Sequence, residues 1–326
     1  MSTKERLLNL LEQHRGSYCS GQQIAQELGI SRAAVWKAVK ALEQQGYAID
    51  AVSNRGYCLA QWTDVLSAQG IRRHLPAELE GLEVLVEHTV DSTNSQLRRQ
   101  ANEGAPEGRV LVASQQTQGR GRLGRNFFSP KDTGIYMSIL LRPQGWDAQR
   151  AGSLTTMAAV AVCRAIRQVS GRQAQIKWVN DVYLEGKKVC GILTEGGINL
   201  ENGQLDYAVL GVGINAYAPP EGFPQELQSL AGAVFTQTES DGKNRLAAAF
   251  LQEFYSLYQH GDPQAHVEEY RTNSLVIGRK VNLVQPGGSR LAKVLDIDEE
   301  CRLVVEYPDG THERVSTGEI SLRLAD

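Results

Sequence analysis

The run Gly119–Arg125 constrains this chain more than any other stretch, because three glycines alternate there with three arginines. It follows an apolar run at 110–113 and a polar run at 114–118. Glycine lets a backbone adopt positive φ and approach a ligand closely, and the arginine fork matches the planar geometry of carboxylate and phosphate. The run therefore predicts an anion-binding loop that follows a strand.

Two familiar glycine motifs fit this run less well. The spacing Gly119-x-Gly121-x-x-Gly124 satisfies the dinucleotide fingerprint, which needs a helix directly after the loop and an acidic residue about twenty positions on. Instead, residues 126–134 have an irregular pattern, and the twentieth position falls in the apolar run 135–141. No Lys-Ser or Lys-Thr pair follows, which excludes a P-loop. A solvated basic loop is the remaining alternative, but such a loop does not need alternating glycines.

Length and composition indicate a multidomain globular protein. A chain of 326 residues favours two or three domains, and its 41% hydrophobic and 22% charged residues are ordinary for a soluble protein. Its charged start and the lack of a long apolar run predict a cytoplasmic protein without a signal peptide or membrane span. The five cysteines and six histidines are scattered, so we expect neither a protein metal site nor a Cys-His nucleophile.

The first sixty residues have the pattern of a helix-turn-helix. Residues 4–14 place leucines at helical spacing, and residues 20–28 begin with a capping box. A turn at 29–30 leads to a longer helix that Ser31 caps and Gly46 ends. Apolar segments on both sides of a turn at 53–56 then predict a hairpin, which makes the unit a winged helix-turn-helix.

The outer face of the second of these helices carries small and cationic side chains of the kind that enter a major groove. The candidate DNA-binding residues are Arg32, Ala33, Trp36, Lys37 and Lys40, with Arg55 at the tip of the hairpin. Residues 1–60 hold seven Lys/Arg against five Asp/Glu, whereas the whole chain has a net charge of −3. This asymmetry favours a nucleic-acid partner. A three-helix protein-interaction module is the alternative.

The remaining pattern alternates between strands and helices before it becomes all β. We expect a linker and short helix at 61–75, strands at 83–88, 135–141, 176–184 and 205–215, helices at 92–100, 153–169 and 244–260, a loop at 216–228, and a small β-barrel from about 274. The strand at 176–184 is expected to turn at Glu185-Gly186 and return through 187–189.

Three motifs together closely resemble the biotin-protein ligases: Gly119–Arg125, Lys177–Asp181 and Gly186–Leu193. With the helix-turn-helix, the chain resembles the bifunctional type that is also the biotin operon repressor, and the similarity covers essentially its whole length. The resemblance implies an α+β multidomain fold. It consists of a winged helix-turn-helix (1–62), a central α/β class II synthetase-like ligase domain (63–272) and an SH3-like β-barrel (273–326).

The resemblance also implies the activity. Biotin would react with ATP, accompanied by Mg²⁺, to give biotinyl-5'-AMP, and biotin would then pass to a lysine of the biotin carboxyl carrier protein of acetyl-CoA carboxylase. With biotinyl-AMP as corepressor, a homodimer would bind operator DNA and repress biotin biosynthesis genes.

The site residues follow from the same motifs. The catalytic residues implied are Lys188, Arg120 and Arg122. Those implied for biotin are Ser92, Thr93, Asn94, Gln116, Arg120, Gly121, Arg122 and Lys188, with Trp178 as an apolar wall. Those implied for ATP or the adenylate are Arg122, Arg125, Asn180, Asp181 and Asn215. The cations would offset the repulsion between the carboxylate and the triphosphate.

Two positions depart from the family pattern: Phe127 stands where Trp is frequent, and Val179 stands where Pro is usual. Two other functions compete with the biotin ligase. A lipoate-type acyl ligase is disfavoured by the Gly-Arg alternation, and a ligand-sensing transcription factor without ligase activity is disfavoured because Arg120, Arg122 and Lys188 are all present.

Overall fold

The computed structural model describes residues 2–198, 201, 203–260, 263–285 and 288–322. The N-terminal unit has three helices and one hairpin: α1 (Thr3–Gln13), α2 (Gly21–Leu28), α3 (Arg32–Gln44), β1 (Ile49–Val52) and β2 (Gly56–Leu59). Ser2, Ser20 and Ser31 each cap a helix by accepting a hydrogen bond from the backbone N–H three residues on. The expected winged helix-turn-helix is therefore present.

A seven-stranded mixed sheet forms the centre of the molecule. Its strands are β3 (Glu83–Val90), β4 (Arg109–Gln116), β5 (Gly134–Leu141), β6 (Gln175–Lys177), β7 (Asp181–Leu184), β8 (Lys187–Ile198) and β9 (Leu205–Asn215). The spatial order is β3-β4-β5-β9-β8-β7-β6, and β3 and β4 are parallel whereas the other neighbours are antiparallel.

Helices cover both faces of this sheet. They are α4 (Ala68–Arg73), α5 (Thr93–Asn102), α6 (Ala148–Ser170), α7 (Gly242–His260) and α8 (Pro263–Thr272). Successive residues of a strand point to opposite faces. Ile139 accordingly joins the main core with α6 and α7, whereas Leu140 joins a smaller core with Leu97 of α5. Because β5 is covered on both sides, all of its residues are buried.

One expectation about the central unit was wrong, and one helix was missed. The continuous strand at 176–184 is instead two strands, β6 and β7, joined by a turn at Trp178–Asn180. Distant groups hold this turn: Asn180 Nδ2 donates to Ile192 O at 2.9 Å, and Trp178 Nε1 donates to Cys301 O at 2.8 Å. Helix α8 was not expected.

The C-terminal unit is a five-stranded antiparallel sheet. Its strands are β10 (Lys280–Gln285), β11 (Gly288–Ile297), β12 (Leu303–Glu306), β13 (His312–Val315) and β14 (Glu319–Leu322), in the order β13-β12-β11-β10-β14. Its apolar residues continue the main core of the central unit. The expected all-β character is confirmed, and its SH3-like closure stays a prediction.

Buried charges connect the N-terminal unit to the central unit. We call Glu12, Arg15 and Asp241 the junction charges. Arg15 Nη2 lies 2.8 Å from Glu12 Oε1 and 3.1 Å from Asp241 Oδ1, and the three side chains are only 2–4% exposed. Arg15 also donates to the carbonyl oxygen of Thr63 at 2.7 Å. The segment expected to be a linker is therefore fixed against both units.

None of the helices described has the length and apolar character needed to cross a membrane. All five cysteines are free thiols, and four of them are buried. Burial raises the pKa of Cys163 to about 12. A thiol with a raised pKa stays protonated and unreactive at neutral pH, which fits a packing role.

Candidate active site

A cavity of about 160 Å³ opens over the central sheet, between the Gly-Arg loop, the turn at Trp178–Asn180 and strand β14. Eleven of the residues predicted for biotin or adenylate line it: Ser92, Thr93, Asn94, Gln116, Arg120, Gly121, Arg122, Arg125, Asn180, Asp181 and Lys188. The twelfth, Asn215, lies outside the lining, where its Nδ2 donates to Gly232 O at 3.0 Å. The structure thus assembles residues from distant parts of the chain and leaves Asn215 apart from them.

The Gly-Arg loop is closed by its own backbone. Gly121 N donates to Arg125 O at 2.8 Å, and Phe127 N donates to Gly119 O at 2.9 Å. A Cβ atom on Gly119 would lie 2.3 Å from the carbonyl oxygen of Phe127, so a larger residue would open the loop. This closure holds the guanidinium groups at the mouth of the cavity.

Each predicted cation at the cavity has a partner. We call Arg120, Arg122, Arg125 and Lys188 the cavity cations. Lys188 Nζ lies 2.6 Å from Asp181 Oδ1. The other contacts are Arg120 to Glu195 Oε1 at 3.3 Å, Arg122 to Asn180 Oδ1 at 3.3 Å, and Arg125 to Glu319.

A fifth cation, Lys177, also lines the cavity. Burial lowers the pKa of its ammonium group, and the nearby Asp181 carboxylate acts in the opposite direction. Its Nζ lies 5.8 Å from the centroid of the Tyr183 ring. Lys177 therefore adds positive charge beside Lys188 at the cavity.

Neutral polar groups gather at the other end of the cavity. Thr93 N donates to Gln116 Oε1 at 2.9 Å, and Gln116 Nε2 donates to Ser129 Oγ at 3.0 Å. Ser138 Oγ lies 2.7 Å from Thr93 Oγ1 and 2.6 Å from Asn94 Oδ1. We call Thr93, Asn94 and Ser138 the polar cluster. Ser92 caps α5 through its side chain and also lines the cavity.

Aromatic rings and glycines shape the walls. The Phe127 ring packs over the sheet where Gly191 and Gly213 leave space, and a Cβ on Gly213 would lie 2.5 Å from that ring. Phe127 also meets Tyr136 edge to face, with ring centroids 6.4 Å apart. Trp178 is buried and lines the cavity, as expected for an apolar wall.

The residues predicted to contact DNA share one outer surface of α3. Arg32, Ala33, Trp36, Lys37 and Lys40 are all exposed. Trp36 is 53% exposed, so it is not part of the core of the N-terminal unit. Arg55 is exposed at the hairpin tip, and its guanidinium carbon lies 4.3 Å from the centroid of the Tyr18 ring. Lys40 pairs with Glu43 at 2.7 Å.

Several residues at the cavity were not predicted as site residues from the sequence. Lys177, Glu319 and Ile320 line the cavity. Ser138 and Glu195 do not line it, but each contacts residues that do. Lys177 is the first residue of the Lys177–Asp181 motif, which was a usable signal. Ser138 is a lone hydroxyl within the apolar strand β5, which was another. Glu319 and Ile320 belong to the C-terminal sheet, and no local pattern connects them to a cavity in another unit.

Within the part of the chain that the structure describes, no cluster of three or more His, Cys, Asp or Glu side chains is arranged to hold a metal ion.

Three family models match consecutive parts of the chain. The HTH domain matches residues 3–58, the Biotin/lipoate A/B protein ligase family matches residues 86–215, and the Biotin protein ligase C terminal domain matches residues 276–323. These matches follow the order of the three structural units.

Two curated relatives are similar over nearly the full length. The bifunctional ligase/repressor BirA of Bacillus subtilis is 34% identical over 313 residues, which cover 94% of this chain and 95% of the relative. The protein of the same name from Escherichia coli is 29% identical over 318 residues, covering 95% of each chain.

A solved structure supports the fold. The biotin protein ligase from Aquifex aeolicus, in complex with biotin and ATP, superposes with a TM-score of 0.61 at 24% identity. The match covers 74% of this chain and 99% of that chain.

Proposed function

The chain belongs to the family of bifunctional biotin-protein ligases and repressors, and on this premise we propose that it activates biotin with ATP, biotinylates a carrier protein and represses transcription. The observation that carries the proposal is the cavity, which brings the four cavity cations and Lys177 together with a group of neutral hydrogen-bonding side chains. Such a site suits a ligand with an anionic end and an uncharged polar end. Biotinyl-5'-AMP has both.

The first chemical step brings two anions together. A carboxylate oxygen of biotin attacks the α-phosphorus of ATP, the new carboxyl O–P bond forms, and the bond to pyrophosphate breaks. Arg120, Arg122 and Lys188 stabilise the negative charge that builds up on the α-phosphate in the transition state. Asn180 and Asp181 orient Arg122 and Lys188, since they already contact these cations. Arg125 is placed to bind the nucleotide phosphates.

In the second step the amine of the acceptor lysine attacks the carbonyl carbon of the mixed anhydride, and AMP leaves with the bonding electrons. The attacking amine must be neutral, so its proton passes to solvent before the amide forms. Ser92, Thr93, Asn94 and Gln116 hold the ureido ring, with Trp178 and Phe127 as apolar walls. Asn215 acts outside the cavity, where it holds the segment at Gly232.

The residues present are compatible with Mg²⁺ bound to ATP. Mg²⁺ keeps several water ligands and binds through substrate phosphates and one or two carboxylates. Asp181, whose Oδ1 faces Lys188 in the cavity, is the carboxylate placed to hold it. When bound, Mg²⁺ offsets charge on the phosphates.

A labelling experiment tests the ligase. Purified protein with ATP, Mg²⁺ and biotin should biotinylate a biotin carboxyl carrier domain, and Lys188→Ala should lower the rate by about 10²–10³-fold. Transfer of lipoate without transfer of biotin would instead establish the lipoate-type alternative.

The repressor half is assigned to the winged helix-turn-helix. We expect a dimer, formed when the adenylate is bound, to place α3 of each subunit in the major groove of a palindromic operator. Both partners, the carrier protein and the operator, are cytoplasmic. The domain boundaries that fit this division are 1–62, 63–272 and 273–326.

Operator binding tests this half. Affinity should require biotin with ATP and should fall steeply with salt, because lysines and arginines displace counterions from the phosphates. Lys37→Ala should weaken binding, whereas Lys4→Ala, which removes a partly exposed lysine from α1, should not. Binding that is indifferent to biotin and ATP would contradict the corepressor role.

A further inference from the structure

Glu195 receives donors from three directions. It lies on β8 opposite Val209 of β9, and its side chain is 19% exposed. Its carboxylate accepts from Asn94 Nδ2 at 3.0 Å and from Arg98 at 3.3 Å, and it lies 3.3 Å from Arg120. Only a group that accepts and never donates can satisfy all three neighbours, because each neighbour presents hydrogens.

This carboxylate helps to fix the orientation of the Asn94 amide. The two amide hydrogens point to Leu193 O at 3.2 Å and to Glu195 Oε2. Rotating the amide by half a turn would set Asn94 Oδ1 against two acceptors. Asn94 Oδ1 therefore faces Ser138 Oγ at 2.6 Å.

The direction of the next hydrogen bonds follows from counting hydrogens. Ser138 has one hydroxyl hydrogen, and Asn94 Oδ1 has none, so Ser138 donates to Asn94. The hydrogen in the 2.7 Å contact between Ser138 and Thr93 must then come from Thr93. Thr93 Oγ1 also lies 3.2 Å from Gln116 Oε1, but that oxygen already accepts from the backbone N–H of Thr93 at 2.9 Å, so the shorter contact with Ser138 takes the hydroxyl hydrogen. With its single hydrogen engaged, Thr93 Oγ1 presents only lone pairs to the cavity.

We propose that Glu195 is a positioning residue that makes Thr93 a hydrogen-bond acceptor and so selects ligands that offer an N–H group at this end of the cavity. The proposal rests on the proposed function and deepens it. The ureido ring of biotin offers N–H groups, whereas the dithiolane ring of lipoate offers none. A buried acceptor left without a donor is costly, so a ligand without an N–H group is disfavoured.

The test measures pyrophosphate release with biotin or lipoate by the full-length wild type, Glu195→Gln, Ser138→Ala and the double variant. In Glu195→Gln, an NH₂ group replaces one carboxylate oxygen. Its hydrogens must then point either at Asn94 Nδ2 or at the arginines, which are donors themselves. We expect the KM for biotin to rise roughly ten-fold and the preference for biotin over lipoate to fall by a similar factor, with the KM for ATP little changed. The matched control is Glu83→Gln, because Glu83 pairs with Arg109 on the same sheet outside the cavity.

The double variant separates this role from a direct effect on Arg120. If Glu195 acts through Asn94 and Ser138, the effects of the two substitutions on the biotin KM should be far less than additive. Additive effects, or an unchanged KM for biotin in Glu195→Gln, would overturn the proposal. Should that variant fail to fold in a thermal scan, Ser138→Ala tests the same chain of hydrogen bonds, and unaltered discrimination against lipoate would overturn it. A wild type that releases no pyrophosphate with biotin would refute the proposed function instead.

Discussion

The junction charges and the cavity cations use the same ion-pair chemistry in opposite surroundings. At the junction the side chains of Glu12, Arg15 and Asp241 are 2–4% exposed. In the cavity Lys188 is 32% exposed and Arg125 is 69% exposed. Exposed pairs contribute little to stability, whereas removing one partner of a buried pair leaves an uncompensated charge. The junction pairs therefore hold the architecture, and the cavity pairs are exchangeable.

An anion-binding site needs cations whose carboxylate partners can be replaced by the ligand. Glu195, Asp181 and Glu319 keep their cationic partners near the cavity mouth. An incoming carboxylate or phosphate can replace these partners at small cost, because water reaches each pair. Replacing a partner at the junction would instead leave a buried charge without its closest counter-ion.

The largest expected effect is at the junction. Arg15→Met removes the buried cation that lies between Glu12 and Asp241. Only the partly exposed Arg73 and His74 then remain near these carboxylates, so the free energy of unfolding should fall by about 3–5 kcal/mol. Urea unfolding monitored by circular dichroism measures the change. Arg109→Met is the control, since the Arg109–Glu83 pair is partly exposed and should contribute less than about 1 kcal/mol. Equal losses in both variants would contradict the distinction between the two regions.

Lys188→Met is the reciprocal test in the cavity. It should reduce biotin adenylation by about 10²–10³-fold, which corresponds to about 2.7–4 kcal/mol of transition-state stabilisation. Its unfolding free energy should change by less than about 1 kcal/mol, because both partners of the Lys188–Asp181 pair reach solvent. Rate and stability are measured on the same preparation. A loss of stability comparable to that of Arg15→Met would show that this pair is structural.

The pH dependence of stability gives a smaller, graded test beside the junction. Burial raises the pKa of Asp64 above its ordinary value of 3.8, although Tyr217 and the Lys243 backbone N–H donate to it. An acid whose folded pKa is raised contributes stability below its unfolded pKa and loses it as the pH rises through the folded value, at about 1.4 kcal/mol per unit of separation.

Wild type should therefore lose stability relative to Asp64→Asn as the pH rises from 4 towards neutrality. Urea midpoints of both proteins across this range measure the difference. A constant difference would mean that Asp64 has the same pKa in the folded and unfolded states.

What the sequence predicted well was local. The Gly-Arg loop, the serine caps of α2 and α3 and the apolar strand β5 each have a pattern confined to adjacent residues, and each is where the pattern placed it. The turn between β6 and β7 was missed because its fixing contacts, at Ile192 and Cys301, are remote in sequence. Helix α8 was missed because its run is mostly polar and charged.

The same limit explains which site residues were found. Lys188 and the loop arginines belong to compact motifs, so their gathering at one cavity was predicted. Glu195 resembles an ordinary exposed strand residue until β8 is placed beside α5, and only then do Asn94 and Arg98 reach it. The partners of a side chain on another element depend on how the two elements pack. The periodicity of a single strand carries no information about that packing.

The smallest stability effect should come from the pair that joins the Gly-Arg loop to the C-terminal sheet. Arg125 contacts Glu319 of β14, but the arginine is 69% exposed. Arg125→Gln should change the unfolding free energy by less than about 0.5 kcal/mol. Because Arg125 lines the cavity, the same variant should raise the KM for ATP several-fold. Glu319→Gln is the matched control: it leaves the guanidinium without its resident carboxylate, so it should lower the KM for ATP or leave it unchanged. A rise in both variants would mean that the contact itself, rather than the free cation, serves the nucleotide, and the pair would then belong with the fixed charges of the junction.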